Sequence, residues 1–418
     1  MTLKTALKTI IRDFHQRGIP KAVRRDISIP LSSNKIVTII GARRAGKTYT
    51  LFQLMQEIKD LTDILYINFE DERLDFTQES LGQIIDAYFE LYPKKKEQNI
   101  YLFFDEIQEA KGWEKFVRRL YDTVTRKIFL TGSTAKMLSK EIATSLRGRA
   151  ISYEVYPLSF REYLLFKSIP EDLISTKGKA AVMHELGMYL AKGGFPETVR
   201  MENDIYQRTI TSYFDVMLYR DVIERYSIRS PEYARELLKQ LISQSAKEFS
   251  IHKIYNDFKS KGVKISKDSM YEYLNYFEDA FIILPIKNYA ESIRKQTLRK
   301  SYAIDNGLAR MLSLTLSRDY GRLLETLVLL ELKRRGKEVF YFKNGAECDF
   351  IIKERNTIKE AIQVCYDVNG SNKERELKGL KNAMKRFNLK KGLVIAFEQE
   401  GQEGNIKIIS AARWLLEK

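Results

Sequence analysis

Eight consecutive residues, Gly41-Ala42-Arg43-Arg44-Ala45-Gly46-Lys47-Thr48, fit the pattern G-x-x-x-x-G-K-[ST]. The chemistry of that spacing is the cradling of nucleotide phosphates. Gly41 and Gly46 let the backbone turn so that N–H groups point inward at phosphate oxygens. Lys47 is placed to reach the β- and γ-phosphates, and Thr48 to ligate Mg²⁺; the helix that opens at Thr48 and Tyr49 adds a favourable dipole. Further on, Ile100-Tyr-Leu-Phe-Phe-Asp105-Glu106 is an apolar run ending in two carboxylates. A buried strand would carry Asp105 to the edge of a sheet, where it supports Mg²⁺, and Glu106 would orient and polarise an attacking water. Asp-Glu at a strand end can also simply cap a helix. Thr131 and Ser133 close a fourth apolar stretch, as γ-phosphate sensors, as caps of a helix beginning near Ala135, or as both. Arg147 and Arg149 are candidates for an arginine finger acting in cis or in trans, against the plainer reading of surface arginines. ATP and Mg²⁺ are the cofactors this set implies.

Strands and helices must alternate to place those residues. Lys35–Ile40 is β-branched and apolar, as a buried parallel strand should be. Thr48–Lys59 spaces Leu51, Leu54, Met55 and Ile58 at helical intervals. Strands are expected at Ile64–Asn68, Ile100–Asp105, Lys127–Leu130 and Ile151–Tyr156, with a helix from Gln78 to Tyr92. Met1–Arg17 reads as an amphipathic helix on the body of the domain. This predicts an α/β parallel sheet of P-loop type. Beyond Pro157 the alternation stops, and Glu162–Lys167, Ala181–Ala191 and Tyr206–Tyr226 read as a helical lid, with a turn at Gly193-Gly194.

Residues 231–286 predict three short helices, the second capped by Ser250 and the third spanning Lys267–Asp279, followed by an apolar hairpin at Phe281–Ile286. That order suggests a winged helix, with Lys264, Lys267 and Tyr271 facing DNA or a protein partner. Glu272, Glu278 and Asp279 weigh against a basic reader, and Arg294-Lys295 with Arg299-Lys300 forms a second basic, phosphate-contacting candidate. The boundaries expected are 1–160 for the N-terminal helix and P-loop core, 161–229 for the lid, 230–290 for the winged-helix part and 291–418 for a C-terminal mixed α/β domain.

Composition narrows the partners. The chain has 418 residues, 44% of them hydrophobic, with 24 Tyr and 22 Phe, enough to fill several cores. A net charge of +16 favours a polyanionic partner, nucleic acid first, against a merely solvated lysine-rich surface. Cys348 and Cys365 make neither a disulfide framework nor a zinc set, which suits a reducing cytoplasm. No apolar run approaches the roughly 20 residues of a membrane span. A homo-oligomer is open.

The ordered stretches Gly41–Thr48, Phe104-Asp-Glu-Ile107, Leu130-Thr-Gly-Ser133, Leu146-Arg-Gly-Arg149, Pro157-Leu-Ser-Phe160, Gly193-Gly-Phe-Pro-Glu197 and Tyr219-Arg-Asp-Val222 resemble the archaeal and bacterial AAA+-like ATPases that carry a C-terminal domain of unknown function. The resemblance implies an ATPase core, a helical and winged-helix middle and a nuclease-like end. The end resembles the PD-(D/E)xK nuclease core: a helix bearing Glu325, then Glu347-Cys-Asp349 entering a strand, then a third strand. There that family offers Glu/Gln-x-Lys on one face, since residues two apart in a strand point the same way. This chain has Gln363-Val-Cys365 instead. A thiol neither donates positive charge nor favours Mg²⁺, and a lysine from elsewhere, Lys343 or one near Lys378, would have to compensate. Glu325, Asp349 and Gln363 therefore have three readings: an inactive binding fold, a metal-dependent nuclease with altered chemistry, or structural carboxylates. The function expected is Mg²⁺-dependent ATP hydrolysis coupled to nucleic-acid binding or processing; the alternative is a nucleotide-switched scaffold that cuts nothing.

Overall fold

The computed structural model describes residues 2–133, 146, 148–290, 298–312, 319–368 and 373–417. They form two compact units, Met1–Val155 and Tyr156–Lys418.

In the first unit, helix α1 (Leu3–Arg17) buries Ala6, Leu7, Ile10, Ile11 and Phe14 on one face, the stripe its apolar spacing predicts. Thr2 accepts a hydrogen bond from the Thr5 N–H to cap it. Then come β1 (Ile36–Ile40), α2 (Lys47–Met55), β2 (Ile64–Asn68), α3 (Gln83–Leu91), β3 (Tyr101–Asp105), α4 (Trp113–Thr123), β4 (Ile128–Gly132) and β5 (Ala150–Glu154). α2 ends at Met55, before Lys59, and a 3₁₀ turn at Ser80–Gly82 takes the expected first turn of α3. The five strands pair in parallel in the order β2-β3-β4-β1-β5. β1 is buried at every position, so its β-branched residues pack on both faces. β4 lies between β1 and β3. The carboxyl ends of all three strands therefore meet at one edge.

The second unit opens with α5 (Phe160–Lys167), whose Ser159 and Glu162 form a reciprocal capping box. The Pro157–Phe160 stretch that leads into α5 falls in this unit. Next are α6 (Thr176–Lys192) and α7 (Asn203–Leu218), the latter running into a π-helical turn at Tyr219–Glu224. Gly193 adopts φ +77° after α6, and a Cβ there would stand 2.1 Å from the Asp305 carboxylate oxygens. The Gly194 N–H donates to Asp305 Oδ2 at 2.6 Å. The glycine pair is therefore a turn docked on a buried carboxylate.

α8 (Pro231–Ser243), β6 (Lys247–Phe249), α9 (Ile251–Ser260), α10 (Lys267–Asp279), β7 (Ile283–Lys287) and β8 (Arg299–Ala303) follow, with an antiparallel sheet ordered β6-β8-β7. The apolar stretch expected as a hairpin is a single strand, β7, whose partner is β8. Ser250 precedes α9 but makes no capping hydrogen bond through its side chain. Of the basic run, Arg294-Lys295 falls outside the described residues, while Lys300 is buried in β8 at 2% exposure. Lys300 is therefore no phosphate-contacting surface residue.

After α11 (Asn306–Met311) come α12 (Tyr320–Arg334), β9 (Glu338–Asn344), β10 (Ala346–Glu354), β11 (Thr357–Cys365), α13 (Lys373–Arg386), β12 (Gly392–Ala396), β13 (Gly401–Glu403), β14 (Ile406–Ser410) and α14 (Ala411–Leu416). The six-stranded mixed sheet runs β13-β14-β12-β11-β10-β9. β13, β14 and α14 are additions to the sequence reading. α13 covers one face, packing Leu377, Leu380 and Ala383 against Cys348, Ile351 and Val394. Among the described residues no helix is long and apolar enough to cross a membrane.

Asp305 couples folding to pH. Burial raises its pKa to about 6, although the N–H groups of Gly194, Gly307 and Leu308 pull the other way. A carboxyl group with a raised folded-state pKa adds stability that is fully present below pH 4 and is lost as pH rises through 6. Across that window an Asp305→Asn chain should gain stability relative to the native chain, by at most about 3 kcal/mol. Melting temperatures of the two chains between pH 4 and 7 check the sign.

Candidate nucleotide site and a buried charge cluster

The P-loop leaves the carboxyl end of β1 at Gly41. Its backbone has φ +154°, and a Cβ would lie 2.0 Å from the Val155 carbonyl oxygen of the chain beside it. No other residue fits that approach. Gly46 at φ +99° and Arg44 at φ +68° complete the turn into α2, leaving the first N–H groups of the helix directed at the loop's concave side. Ala42 and Ala45 are buried. Arg25, which the sequence reading passed over, donates to the Ala45 carbonyl at 2.7 Å and props the loop from behind. Arg43 pairs with Glu70 at 3.3 Å, and Tyr49 is half exposed, edge-on to Phe52.

Lys47 is 4% exposed, its Nζ 3.2 Å from the Ala42 carbonyl, 3.3 Å from that of Gly41 and 3.4 Å from Glu106 Oε1. Thr48 Oγ1 donates to Asp105 Oδ2 at 2.8 Å, and the Tyr66 hydroxyl donates to the same oxygen at 3.1 Å. Thr131 Oγ1 donates to Asp105 Oδ1 and accepts from the Glu106 N–H at 2.9 Å. One hydroxyl on β4 therefore holds the Asp105 carboxylate and the Glu106 backbone together. Ser133 Oγ is buried with no hydrogen-bond partner among the described residues.

The two adjacent carboxylates are pushed in opposite directions. Burial, then the Glu106 charge, raises the Asp105 pKa against three hydroxyl donors. Burial would raise Glu106 too, but the Lys47 ammonium, the Gln108 amide at 2.6 Å and the Arg43 charge outweigh it and hold Glu106 low. Of the two, Glu106 is the carboxylate whose surroundings favour the charged form.

Arg149 is not brought to this site. It precedes Ala150, which pairs with Ile36 at the amino end of β1. Five residues of strand separate it from the P-loop edge, about 16 Å at 3.3 Å per residue. Its guanidinium bonds Asp122 at 2.9 Å and lies over the Tyr121 ring. Arg149 is thus at the opposite edge of the sheet from the P-loop, and Arg147 lies outside the described residues.

The second cluster sits in the other unit. Asp349 on β10 and Glu325 on α12 do come together, but around Lys300 of β8. Lys300 Nζ is 2.6 Å from Glu347 Oε1, 2.8 Å from Glu325 Oε1 and 3.5 Å from Asp349 Oδ1. The Tyr302 hydroxyl also donates to Glu325 Oε1, at 2.7 Å, and the Val364 N–H donates to Asp349 Oδ2 at 2.9 Å. Burial opposes the charge on Lys300, yet the facing tyrosine and carboxylates hold its pKa well above the usual lysine value. Gln363 does not join Lys300: its Nε2 donates to Glu376 at 3.1 Å, and its Oε1 is buried with no partner among the described residues. Of the lysines expected to compensate for Cys365, Lys343 reaches the rim of the cluster, 3.8 Å from Glu347 Oε2. Lys343 is half exposed and pairs first with Glu248 at 3.1 Å, and Lys378 is exposed. Among the described residues no three acidic, His or Cys side chains have an arrangement that holds a metal ion.

Thr131→Val keeps the side-chain shape and removes the hydroxyl that bridges Asp105 and the Glu106 N–H. Two buried polar groups lose a partner, so unfolding free energy should fall by roughly 1–3 kcal/mol. Urea melts of the two chains measure it.

Residues 33–164 match an AAA domain, residues 183–319 a domain of unknown function (DUF8612) and residues 320–414 a second domain of unknown function (DUF4143). An uncharacterized protein of Methanocaldococcus jannaschii is 42% identical over 418 residues, spanning 95% of this chain and 91% of that protein. An uncharacterized protein of Haemophilus influenzae is 30% identical over 397 residues, spanning 91% and 94%. Among solved structures, a DNA polymerase III gamma-subunit-related protein of Thermotoga maritima aligns over 80% of this chain and 99% of its own. Its 13% identity and TM-score of 0.27 carry no argument. With identity sustained along nearly the whole length of both relatives, the chain belongs to their family, and in it an AAA domain precedes two domains of unknown function.

Proposed function

We propose that this chain binds ATP with Mg²⁺ and hydrolyses it at the sheet edge where β1, β3 and β4 end. The observation that carries the reading is the pair of contacts Lys47–Glu106 at 3.4 Å and Thr48–Asp105 at 2.8 Å, which joins the phosphate-binding loop to the two carboxylates. Thr48 Oγ1, in the first turn of α2, and Asp105 Oδ2, at the end of β3, are hard oxygen donors, the donor type Mg²⁺ requires, and they are the residues that would hold it. Mg²⁺ supplies neutralisation of charge on the β- and γ-phosphates when bound. Lys47 would exchange Glu106 for a phosphate oxygen. Glu106 then presents an ionised Oε1 to a water while Gln108 holds its other oxygen. Ser133 Oγ, just past the end of β4, is buried with no partner among the described residues and suits a hydroxyl that registers the γ-phosphate.

The net charge of +16 favours a nucleic acid as the partner to which turnover responds. The order helix–strand–helix–helix–strand–strand over residues 231–303 suits a winged helix, with Lys264 and Tyr271 exposed at and before α10. A second reading, a nucleotide-switched scaffold, is favoured by one observation: the C-terminal carboxylates are already engaged by Lys300.

Phosphate release should fall at least 100-fold in Glu106→Gln with ATP affinity retained, whereas Lys47→Ala should lose ATP binding itself. Fluorescent-ATP titration and steady-state turnover, each with duplex DNA, single-stranded DNA and RNA, separate these effects. Turnover unchanged in Glu106→Gln would overturn hydrolysis at this site. Turnover indifferent to all three nucleic acids would move the reading to the scaffold.

A further inference from the structure

We propose that the Lys300 ammonium stands in the cation position of a pocket formed by Glu325, Glu347 and Asp349, so that the native pocket takes no divalent metal, and that removing the ammonium opens a site for Mn²⁺ or Mg²⁺. Three observations carry this. First, the ammonium has three N–H donors and meets one oxygen from each of three carboxylates, at 2.6, 2.8 and 3.5 Å. Those are N–H···O spacings, longer than the 2.0–2.1 Å at which Mg²⁺ holds oxygen. Spread to that extent, the carboxylates are not in a metal-holding arrangement, as the described residues show.

Second, the lysine is built in. β8 is the central strand of its sheet, with Lys300 opposite Glu248 on one side and Ile286 on the other. Tyr302, two residues along and so on the same face, donates to the same Glu325 oxygen. Lys300 cannot leave the pocket by a rotamer change alone, because at 2% exposure it has no open path to solvent.

Third, a further oxygen is left without a partner. Gln363 lies one step beyond the Phe350–Ile362 pair, directly across from Asp349. Its Oε1 is buried and unpaired among the described residues, in a side chain 5% exposed. A cation shared with Asp349 would satisfy it; the ammonium, spent on the three carboxylates, does not. Cys365 then needs no charge of its own, because the site's positive charge comes from β8.

The inference does not rest on the ATPase reading. Its test is Mn²⁺ binding without nucleotide, followed by electron paramagnetic resonance on the full chain, in native, Asp349→Asn, Lys300→Met and Lys300→Met/Asp349→Asn forms. The native and Asp349→Asn chains should bind Mn²⁺ alike. Lys300→Met should gain one Mn²⁺ per chain, lost again in the double variant. Native binding that Asp349→Asn abolishes would overturn the proposal, as would a folded Lys300→Met chain with no added Mn²⁺. Should Lys300→Met fold poorly, its melting temperature with Mn²⁺ decides: a rise absent from the double variant supports the pocket, and no rise overturns it.

Discussion

An ammonium group moved from water into a protein loses several kcal/mol of hydration unless carboxylates replace the water. That constraint shapes both halves of this chain. Lys47 is 4% exposed and Lys300 2%, and each sits where strand ends or a helix present carboxylates to it. In the first unit the compensation is partial and exchangeable: one carboxylate at 3.4 Å and two backbone carbonyls, leaving a charge that a phosphate can capture. In the second it is saturated, three N–H groups for three carboxylates. The same physics makes one lysine available and the other fixed.

The exchangeable site depends on strand order. With β4 between β1 and β3, a single Thr131 hydroxyl reaches the Asp105 carboxylate and the Glu106 backbone together. Gly41 completes the geometry, because only a hydrogen in place of Cβ allows the loop to pass the Val155 carbonyl.

Most of the candidate site could be assembled from the sequence because its parts are local: loop, first helical turn and strand end each announce themselves within eight residues. Arg25 was not, since a guanidinium that props a loop 20 residues away has no local signature. Arg149 misled for the converse reason. It lies just before β5, and because β5 runs parallel to β1, with Ala150 beside Ile36, it falls at the edge away from the P-loop. Lys300 was harder still. It precedes Glu325 by 25 residues and Asp349 by 49, and beside Arg299 it read as a phosphate-contacting surface residue. The one usable clue was its strand context, Lys300 and Tyr302 alternating toward the apolar Ala303-Ile304.

The Lys300 cluster also bears on how this protein can be divided. The ammonium belongs to residues 183–319 and its three carboxylates to residues 320–414, regions that match two separate domains. A fragment beginning at residue 320 would carry buried acid with its resident base cut away, and the preceding piece would bury a lysine facing nothing. The border between the two named domains is thus a line through a single ion cluster. Gene fusions, truncations or swaps made at that border would exchange halves of an ion cluster, so the two regions are constrained to be inherited, expressed and engineered as one body.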